Sequence, residues 1–176
     1  MARVIWITGL PGCGKSVVAE ALRVRHPAFV VLRMDDLRAI VTPAPDYSPA
    51  ERELVYRALV YTATVLVGLD RDVIIDATGN LRRWRELARG LIPGFSEVYL
   101  ACGIDVCMRR EQARRQMHGA PEKIYEKARA GMPVPGVNAP YEAPLRAEVE
   151  VDADALSVEE IVETIEKRLG FLSVNP

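Results

Sequence analysis

Short apolar runs and longer segments with helical spacing alternate along the 176-residue chain. Five short runs are rich in apolar residues and are separated by helical segments, which predicts the strands of a parallel sheet. The second run predicts a fully buried strand. The five predicted strands cover residues 3–8, 28–32, 72–76, 97–101 and 148–151.

Segments in which apolar residues recur every three or four positions predict the helices between these strands. Ser48 followed by Pro49 and Glu51, and Ser157 followed by Glu160, are capping-box signals for two helix starts. In the first of these helices, one face carries Leu54, Ala58, Tyr61, Val65 and Leu69. The predicted helices cover residues 17–25, 49–69, 82–91, 105–117, 121–130 and 158–169.

Strands that alternate with helices predict an α/β fold, in which helices cover both faces of a five-stranded parallel sheet. With 49% hydrophobic residues, a chain of this length buries one sizeable core, so we expect a single domain over residues 1–176. Residues 131–144 carry four prolines and two glycines and are predicted to form a loop. Ligands of such sheets bind beyond the carboxyl ends of the strands, where the candidate site residues fall.

Charge and cysteine content narrow the classes of function. The formal net charge is -1 and no long run of Lys or Arg occurs, which disfavours a protein that works on nucleic acid or on an anionic membrane. Cys13, Cys102 and Cys107 lack the spacing of a disulfide framework or a zinc site, so we expect a cytoplasmic protein. We expect no signal peptide and no membrane-spanning segment.

Residues 9–16, with the sequence GLPGCGKS, match the phosphate-binding pattern G-x-x-x-x-G-K-[ST] at every fixed position. A predicted strand precedes them and a predicted helix follows, as this loop requires, and the fold is therefore predicted to be a three-layer α/β/α P-loop NTPase of the nucleoside-kinase type. Backbone N–H groups of the loop converge on phosphate oxygens, Lys15 reaches the terminal phosphates, and Ser16 ligates Mg²⁺. We expect ATP to bind at Gly9, Leu10, Pro11, Gly12, Cys13, Gly14, Lys15, Ser16 and Val17.

Carboxylates follow the second and third predicted strands and therefore lie on the same rim as the phosphate loop. Asp35 is the candidate to hold the acceptor hydroxyl and take its proton, whereas Asp36 is better explained as a cap of the helix that follows. Arg38 lies one helical turn beyond Asp35, where it either binds phosphate or sulfate or is an ordinary surface arginine. Asp76 has the pattern of a carboxylate that holds Mg²⁺ through water, with capping of the next turn as the alternative.

Four arginines on the helix after the fourth strand are candidates to neutralise charge at the transferred phosphoryl group: Arg109, Arg110, Arg114 and Arg115. A solvated basic face is the simpler interpretation for most of them. We expect Arg110 to contact the nucleotide, within a lid and substrate loop that cover roughly residues 109–144. Cys13, among the N–H groups of the phosphate loop, either favours a thiolate or is a small residue at a variable position.

Taken together, these motifs resemble the adenylylsulfate kinase family over most of the chain. Segments 124–131 and 136–144 are similar to the family's lid and substrate-loop signature, Leu32–Arg38 takes the place of L-D-G-D-N-x-R, and Tyr47-Ser48 with Arg52 resembles F-S-x-x-x-R. The resemblance implies a kinase, dimeric in this family, that uses ATP and Mg²⁺ to phosphorylate the ribose 3′-hydroxyl of adenylyl sulfate. It implies stacking of Tyr47 on the adenine, and substrate-binding roles for Asp35, Arg38, Tyr47, Arg52, Arg82, Val137 and Asn138.

The chain departs from the family pattern at several positions. Arg33 and Met34 replace the first aspartate and the glycine of L-D-G-D, Val134 stands in place of a second stacking aromatic, and Gly79–Arg82 replaces S-P-Y-R. Residues 33–38 and 76–80 look instead like the branch of P-loop kinases that act on 5′-hydroxyl ends of polynucleotides.

Two alternatives to adenylyl sulfate phosphorylation therefore stay open. The first is a kinase for another hydroxyl, on a small molecule or a nucleic acid 5′ end, although a nucleic acid substrate calls for a basic channel. The second is a nucleotide-binding switch without transfer chemistry. Asp35 and the arginine-bearing lid disfavour the switch, because it needs no carboxylate on the acceptor side.

The phosphate loop generates the first testable prediction. We expect Lys15→Ala to abolish phosphoryl transfer, because the ammonium group is the side-chain cation that reaches the terminal phosphates. Steady-state ATP consumption measures the effect. Turnover equal to that of the unchanged chain would remove the assignment of residues 9–16 as the catalytic phosphate loop.

Overall fold

The predicted strands form one parallel sheet in the computed structural model, which describes residues 2–113 and 123–171. The strands are β1 (Val4–Thr8), β2 (Val30–Arg33), β3 (Val73–Asp76), β4 (Phe95–Ala101) and β5 (Val149–Asp152). Their order in the sheet is β2-β3-β1-β4-β5, and every neighbouring pair is parallel. The predicted α/β fold with a five-stranded parallel sheet is confirmed.

Helices connect these strands, and the described helices lie close to the predicted bounds, except that the helix over 34–41 was predicted only as the one after Asp36 and without bounds. They are α1 (Lys15–Arg25), α2 (Met34–Val41), α3 (Pro49–Gly68), α4 (Arg82–Leu91), α5 (Ile104–Ala113), α6 (Ile124–Arg129) and α7 (Val158–Leu169). The reciprocal capping box of Ser157 and Glu160 is present, and Gly170 ends α7 with φ 70°. The predicted extension of the fifth helix, with Arg114 and Arg115, lies outside the described residues.

Each face of the sheet is covered by a separate apolar cluster. Ile5 and Ile7 of the central strand β1 point towards α1 and α7, whereas Val4 and Trp6 point towards α3 and α4. All four side chains are at most 1% exposed. The strand is therefore apolar at successive positions because both of its faces are buried.

Two features of the packing differ from what local patterns convey. The prediction that the second strand is fully buried is wrong, because β2 lies at the edge of the sheet and its residues are only partly buried. In α3, the apolar face that includes Leu54, Tyr61 and Leu69 is exposed, and the helix packs through the adjacent face. Since α3 is apolar around much of its circumference, spacing alone does not determine which face packs.

An aromatic stack decides how α3 packs. Tyr56 lies between Trp6 of β1 and Trp84 of α4, with ring centroids 6.2 and 3.9 Å apart and rings within 16° of parallel. The Tyr56 hydroxyl accepts a hydrogen bond from Gly79 N at 2.9 Å, and Trp6 Nε1 donates to Ala77 O at 2.9 Å. The stack therefore supports the segment after β3, at the rim where the candidate site lies.

Arg85 of α4 ties four segments together from a fully buried position. Its Nε pairs with Glu97 of β4 at 2.5 Å, and the two side chains are 1% and 3% exposed. Its two terminal nitrogens donate to the carbonyl oxygens of Gly79 and of Glu142, the latter at 2.6 Å. A buried guanidinium is tolerated only when its donors are satisfied in this way.

We expect Arg85→Met to destabilise the fold by about 3–5 kcal/mol, because it leaves the Glu97 carboxylate buried without its closest cation. Urea unfolding followed by circular dichroism measures this loss. Arg83→Met is the matched control, since Arg83 lies on the same helix with an exposed side chain paired to Glu53. Equal unfolding midpoints for the two variants would contradict the structural importance of the buried pair.

Candidate active site

The phosphate loop connects β1 to α1, and the side chain of Lys15 folds back to hydrogen-bond with the start of the loop. Lys15 Nζ donates to the carbonyl oxygens of Gly9 and Leu10 at 3.1 and 2.9 Å, so these two residues hold the ammonium group. Gly12, with φ 83°, lies so close to α5 that a Cβ atom there would come within 2.4 Å of the Cys107 carbonyl oxygen. Glycine is therefore required at this position by packing as well as by backbone conformation.

A cavity of about 570 Å³ opens above this loop. It brings together most of the residues that were predicted from the sequence to form the site. Those that line it are residues 11–17, Asp35, Arg38, Tyr47, Arg52, Asp76 and Arg110.

Sheet order explains why the cavity has two sides. The loop lies at the central strand β1, while Asp35, Arg38 and Tyr47 follow the edge strand β2. On the other side, α5 follows β4 and α7 follows β5, and both helices contribute lining residues, including Arg110 and Val158. The phosphate loop therefore lies between two groups of side chains that approach it from opposite edges of the sheet.

The first turns of α2 carry Asp35 and Arg38 into the cavity. Asp35 is half-buried and lines the cavity, whereas Asp36 is exposed. Arg38 is buried, forms an ion pair with Glu51, and places its guanidinium carbon 5.0 Å from the centroid of the Tyr47 ring. The predicted one-turn spacing of Asp35 and Arg38 thus brings both side chains to one pocket.

Glu51 organises the segment before α3. Ser48 accepts a hydrogen bond from Glu51 N at 3.2 Å, so the predicted N-cap is confirmed. The predicted capping box is wrong in its second half, because Ser48 N donates to Asp46 Oδ1 at 2.7 Å and not to Glu51. The Glu51 carboxylate reaches beyond Ser48 and accepts from the backbone N–H groups of Asp46 and Tyr47, at 2.5 and 2.8 Å. It holds Tyr47 in a left-handed conformation, with φ 56°, and pairs with Arg38.

Arg52 joins the segment around Tyr47 to the loop that contains Pro133. Its Nε donates to Tyr47 O at 3.1 Å, and its Nη2 donates to Pro133 O at 2.6 Å. Burial lowers the pKa of Arg52, although nearby Tyr56 and Glu51 oppose the shift. Pro133 and its neighbours Met132 and Pro135 line the cavity, so Arg52 links Tyr47 to this part of the cavity wall.

Three residues with predicted substrate-binding roles lie outside the cavity lining. Arg82 faces Glu142, whose Oε2 accepts from Arg82 N at 2.8 Å. Asn138 accepts from Val134 N at 2.7 Å and donates to the carbonyl oxygens of Ala128 and Met132, while Val137 is exposed. Asn138 therefore shapes the loop that carries Met132 and Pro133.

Ser16 and Asp76 both line the cavity and carry oxygen atoms that could hold a metal ion. Within residues 2–113 and 123–171, no group of three or more His, Cys, Asp or Glu side chains could hold a metal by itself. A hydroxyl and one carboxylate nevertheless suit Mg²⁺, which keeps several waters and takes further ligands from substrate phosphates. Asp76 is 6% exposed, and its Oδ2 lies 3.9 Å from Arg33 Nε.

The thiol of Cys13 is buried beneath the loop, 3.9 Å from Lys15 Nζ. Burial raises the pKa of Cys13, and the Lys15 ammonium opposes that shift only in part. The thiol therefore stays protonated near neutral pH, which favours the interpretation of Cys13 as a small residue that fits the loop over that of a reactive thiolate.

Comparison with known proteins identifies the family to which this geometry belongs. A family model described as adenylylsulphate kinase matches residues 1–152. The chain belongs to the adenylylsulfate kinase family. It is a kinase of the P-loop class, as the loop and the carboxylates indicate.

Relatives in this family span most of the chain. The adenylyl-sulfate kinase of Rippkaea orientalis is 32% identical over 178 residues, which cover 96% of this chain and 93% of the relative. A probable adenylyl-sulfate kinase of Halalkalibacterium halodurans is 33% identical over 173 residues, which cover 92% and 80%.

Solved structures agree with the family assignment. The Mycobacterium tuberculosis APS kinase CysC, in complex with AMPPNP and APS, has a TM-score of 0.82 and 28% identity, covering 96% of this chain and 98% of that one. A hexameric APS kinase from Thiobacillus denitrificans shares the fold, with a TM-score of 0.68 and 21% identity over 97% of this chain and 29% of that one. Among the residues that the structure describes, no helix combines the length and the apolar character needed to cross a membrane.

Several cavity residues of this kinase were not found from the sequence. Met34, Tyr56, Met132, Pro133 and Leu156 line the cavity. Met34 replaces a glycine within the Leu32–Arg38 segment, and the other four belong to no motif that marks a site by its chemistry. Tyr56 has the aromatic character of a core residue and is buried in the core. Met132 and Pro133 lie in a proline-rich loop. Their roles arise from long-range packing that local pattern does not encode.

Proposed function

We propose that this kinase transfers the γ-phosphoryl group of ATP to the 3′-hydroxyl of adenylyl sulfate, giving ADP and 3′-phosphoadenylyl sulfate. One observation carries the proposal: Lys15 and Ser16 of the phosphate loop line the same cavity as Asp35 and Arg38 of α2. A phosphoryl donor and an alcohol acceptor can therefore meet between them. Membership of the adenylylsulfate kinase family supports the choice of acceptor.

The nucleotide side uses the loop and the helices that follow β4 and β5. Backbone N–H groups at the start of α1 face the phosphates, since its N-cap Gly14 offers no side chain to satisfy them. On binding ATP, the Lys15 ammonium exchanges its contacts with Gly9 and Leu10 for phosphate oxygens. Arg110 adds positive charge from α5, and Ser16 and Asp76 hold Mg²⁺, which when bound neutralises charge on the phosphates.

The acceptor side uses α2 and the start of α3. Asp35 orients the attacking hydroxyl and accepts its proton as the bond to phosphorus forms; in a loose transition state, positioning matters more than basicity. Arg38 and Arg52 offer guanidinium groups to the anionic sulfate and phosphate of the acceptor. Tyr47 offers an aromatic face to the adenine, and Glu51 fixes the backbone that carries it.

A second candidate function is phosphorylation of another small hydroxyl compound. Val134, which replaces the family's second stacking aromatic, is fully buried in the core. The face opposite Tyr47 is therefore made by other residues, and the base-recognition site differs from the family pattern. A nucleic acid acceptor is less well supported, because the chain carries a net charge of -1.

Three further features belong to the proposal. We place the protein in the cytoplasm, in keeping with its three free cysteines. We infer a homodimer from the family resemblance. We also infer that residues 1–176 form one kinase domain, with a lid and substrate loop over roughly residues 109–144.

We expect Asp35→Asn to lower kcat by at least about hundredfold, the usual contribution of a positioned proton acceptor, while the Kd for AMPPNP stays within about twofold. Single-turnover phosphoryl transfer and isothermal titration with AMPPNP measure the two effects. Asp36→Asn is the matched control, since Asp36 is the exposed neighbour in the same turn. Full activity of Asp35→Asn would refute the catalytic role of Asp35.

The choice of acceptor is tested by ATP consumption in the presence of adenylyl sulfate, nucleosides, sugars and 5′-hydroxyl oligonucleotides. We expect adenylyl sulfate to stimulate turnover far more than the other compounds. Stimulation by a different compound, with none by adenylyl sulfate, would remove the leading proposal and support the second candidate.

A further inference from the structure

Arg33 lies beside the carboxylate of Asp76, the proposed metal ligand, and outside the cavity lining. It is the last residue of β2 and is paired in register with Asp76, the last residue of β3. Its Nε lies 3.9 Å from Asp76 Oδ2, and its Nη2 donates to Glu20 of α1 at 3.0 Å. Asp76 lines the cavity together with Lys15 and Ser16, whereas Arg33 is not among the described residues that line it.

The Nε–H group of Arg33 is a buried donor without a hydrogen-bond partner in the described part of the chain. Such a group is costly, and buried donors are normally satisfied. The Asp76 carboxylate would need to approach Nε by only about 1 Å to bring the 3.9 Å separation within hydrogen-bond range. The Asp76 carboxylate therefore lies within reach of both Arg33 and the cavity.

Glu20 does not satisfy Arg33 completely, because it is shared with a second arginine. Both carboxylate oxygens of Glu20 accept from Arg23 Nε at 3.1 Å. Arg23 first, and then Arg33, lower the pKa of Glu20 to about 2, so this carboxylate is charged at any working pH. Two guanidinium groups then face two carboxylates, those of Glu20 and Asp76, and the cluster is electrically balanced without a metal ion.

We propose that Arg33 is a positioning residue that competes with Mg²⁺ for Asp76. This inference rests on the proposed function, in which Asp76 holds the metal. Arg33 keeps the carboxylate in place before the nucleotide arrives and offsets its charge, which weakens its attraction for a cation. The ion then binds together with the phosphates that supply the missing negative charge, and not to the protein alone. Arg33 stands where the family pattern has an aspartate. The side chain at the end of β2 is therefore positively charged instead of negatively charged.

The test measures metal binding directly. Mn²⁺, as a probe for Mg²⁺, is titrated into the full chain with AMPPNP at no more than equimolar concentration, with AMPPNP alone as the reference titration, and free Mn²⁺ is followed by electron paramagnetic resonance. We expect Arg33→Gln, which keeps polar atoms near Glu20, to bind Mn²⁺ about three- to tenfold more tightly, the range of coupling between neighbouring charges. Arg33→Lys, which keeps the charge, should remain within about twofold of the unchanged chain.

Arg23→Gln is the matched control, because it removes the other arginine on Glu20 and leaves the Asp76 contact in place; its Mn²⁺ affinity should not change. Unchanged or weaker Mn²⁺ binding in Arg33→Gln would overturn the proposal, and Arg33→Met serves as a second neutral variant should Arg33→Gln fail to fold.

Asp76→Asn separates this outcome from failure of the proposed function. If Asp76→Asn leaves Mn²⁺ binding unchanged, the metal site itself is wrong; if it weakens binding while Arg33→Gln has no effect, only the competition by Arg33 is wrong.

Discussion

The site depends on the close packing of the phosphate loop against the segments around it. Gly12 lies against the Cys107 carbonyl of α5, the Tyr125 hydroxyl of α6 donates to Pro11 O at 2.6 Å, and Gly136 packs against Leu10. The loop is thus in contact with the helix that supplies Arg110 and with the loop that supplies Pro133. Because these contacts are close, the loop cannot shift without moving α5, α6 and the loop that carries Pro133.

Several cations at and near the cavity already have carboxylate or carbonyl partners within the protein. Arg38 is paired with Glu51, Arg33 lies between Glu20 and Asp76, and Lys15 is held by two carbonyl oxygens. An anionic substrate must compete with these internal partners, which lowers affinity but keeps each side chain ordered before the substrate arrives. Such preorganisation suits phosphoryl transfer, where the protein supplies mainly geometry and charge.

Local signals explain which parts of the molecule were predictable. The loop sequence, the Ser157 capping box and the apolar strand β1 each depend on residues close together in the chain, and each was predicted within a few positions. The edge position of β2, the packed face of α3 and the place of Arg82 depend on which segments meet in space. Arg82 was placed in the site by resemblance to a family segment, whereas its contact with Glu142 arises from residues sixty positions away.

The segment that resembles the family most closely acts here as scaffold. Asn138 holds the backbone of its own loop, Pro140 O accepts from Asn80 at 2.8 Å, and the Tyr141 hydroxyl lies 3.0 Å from Thr8 Oγ1. These contacts fix the path of the loop relative to β1 and the segment after β3. Val134 belongs to the same scaffold, since its side chain is buried and its carbonyl oxygen accepts from the turn at Asn138. The change from aromatic to valine therefore leaves the loop anchored, and Met132 and Pro133 of the same loop line the cavity. Arg52 Nη2 donates to Pro133 O, so this wall of the cavity is tied to the segment at the start of α3.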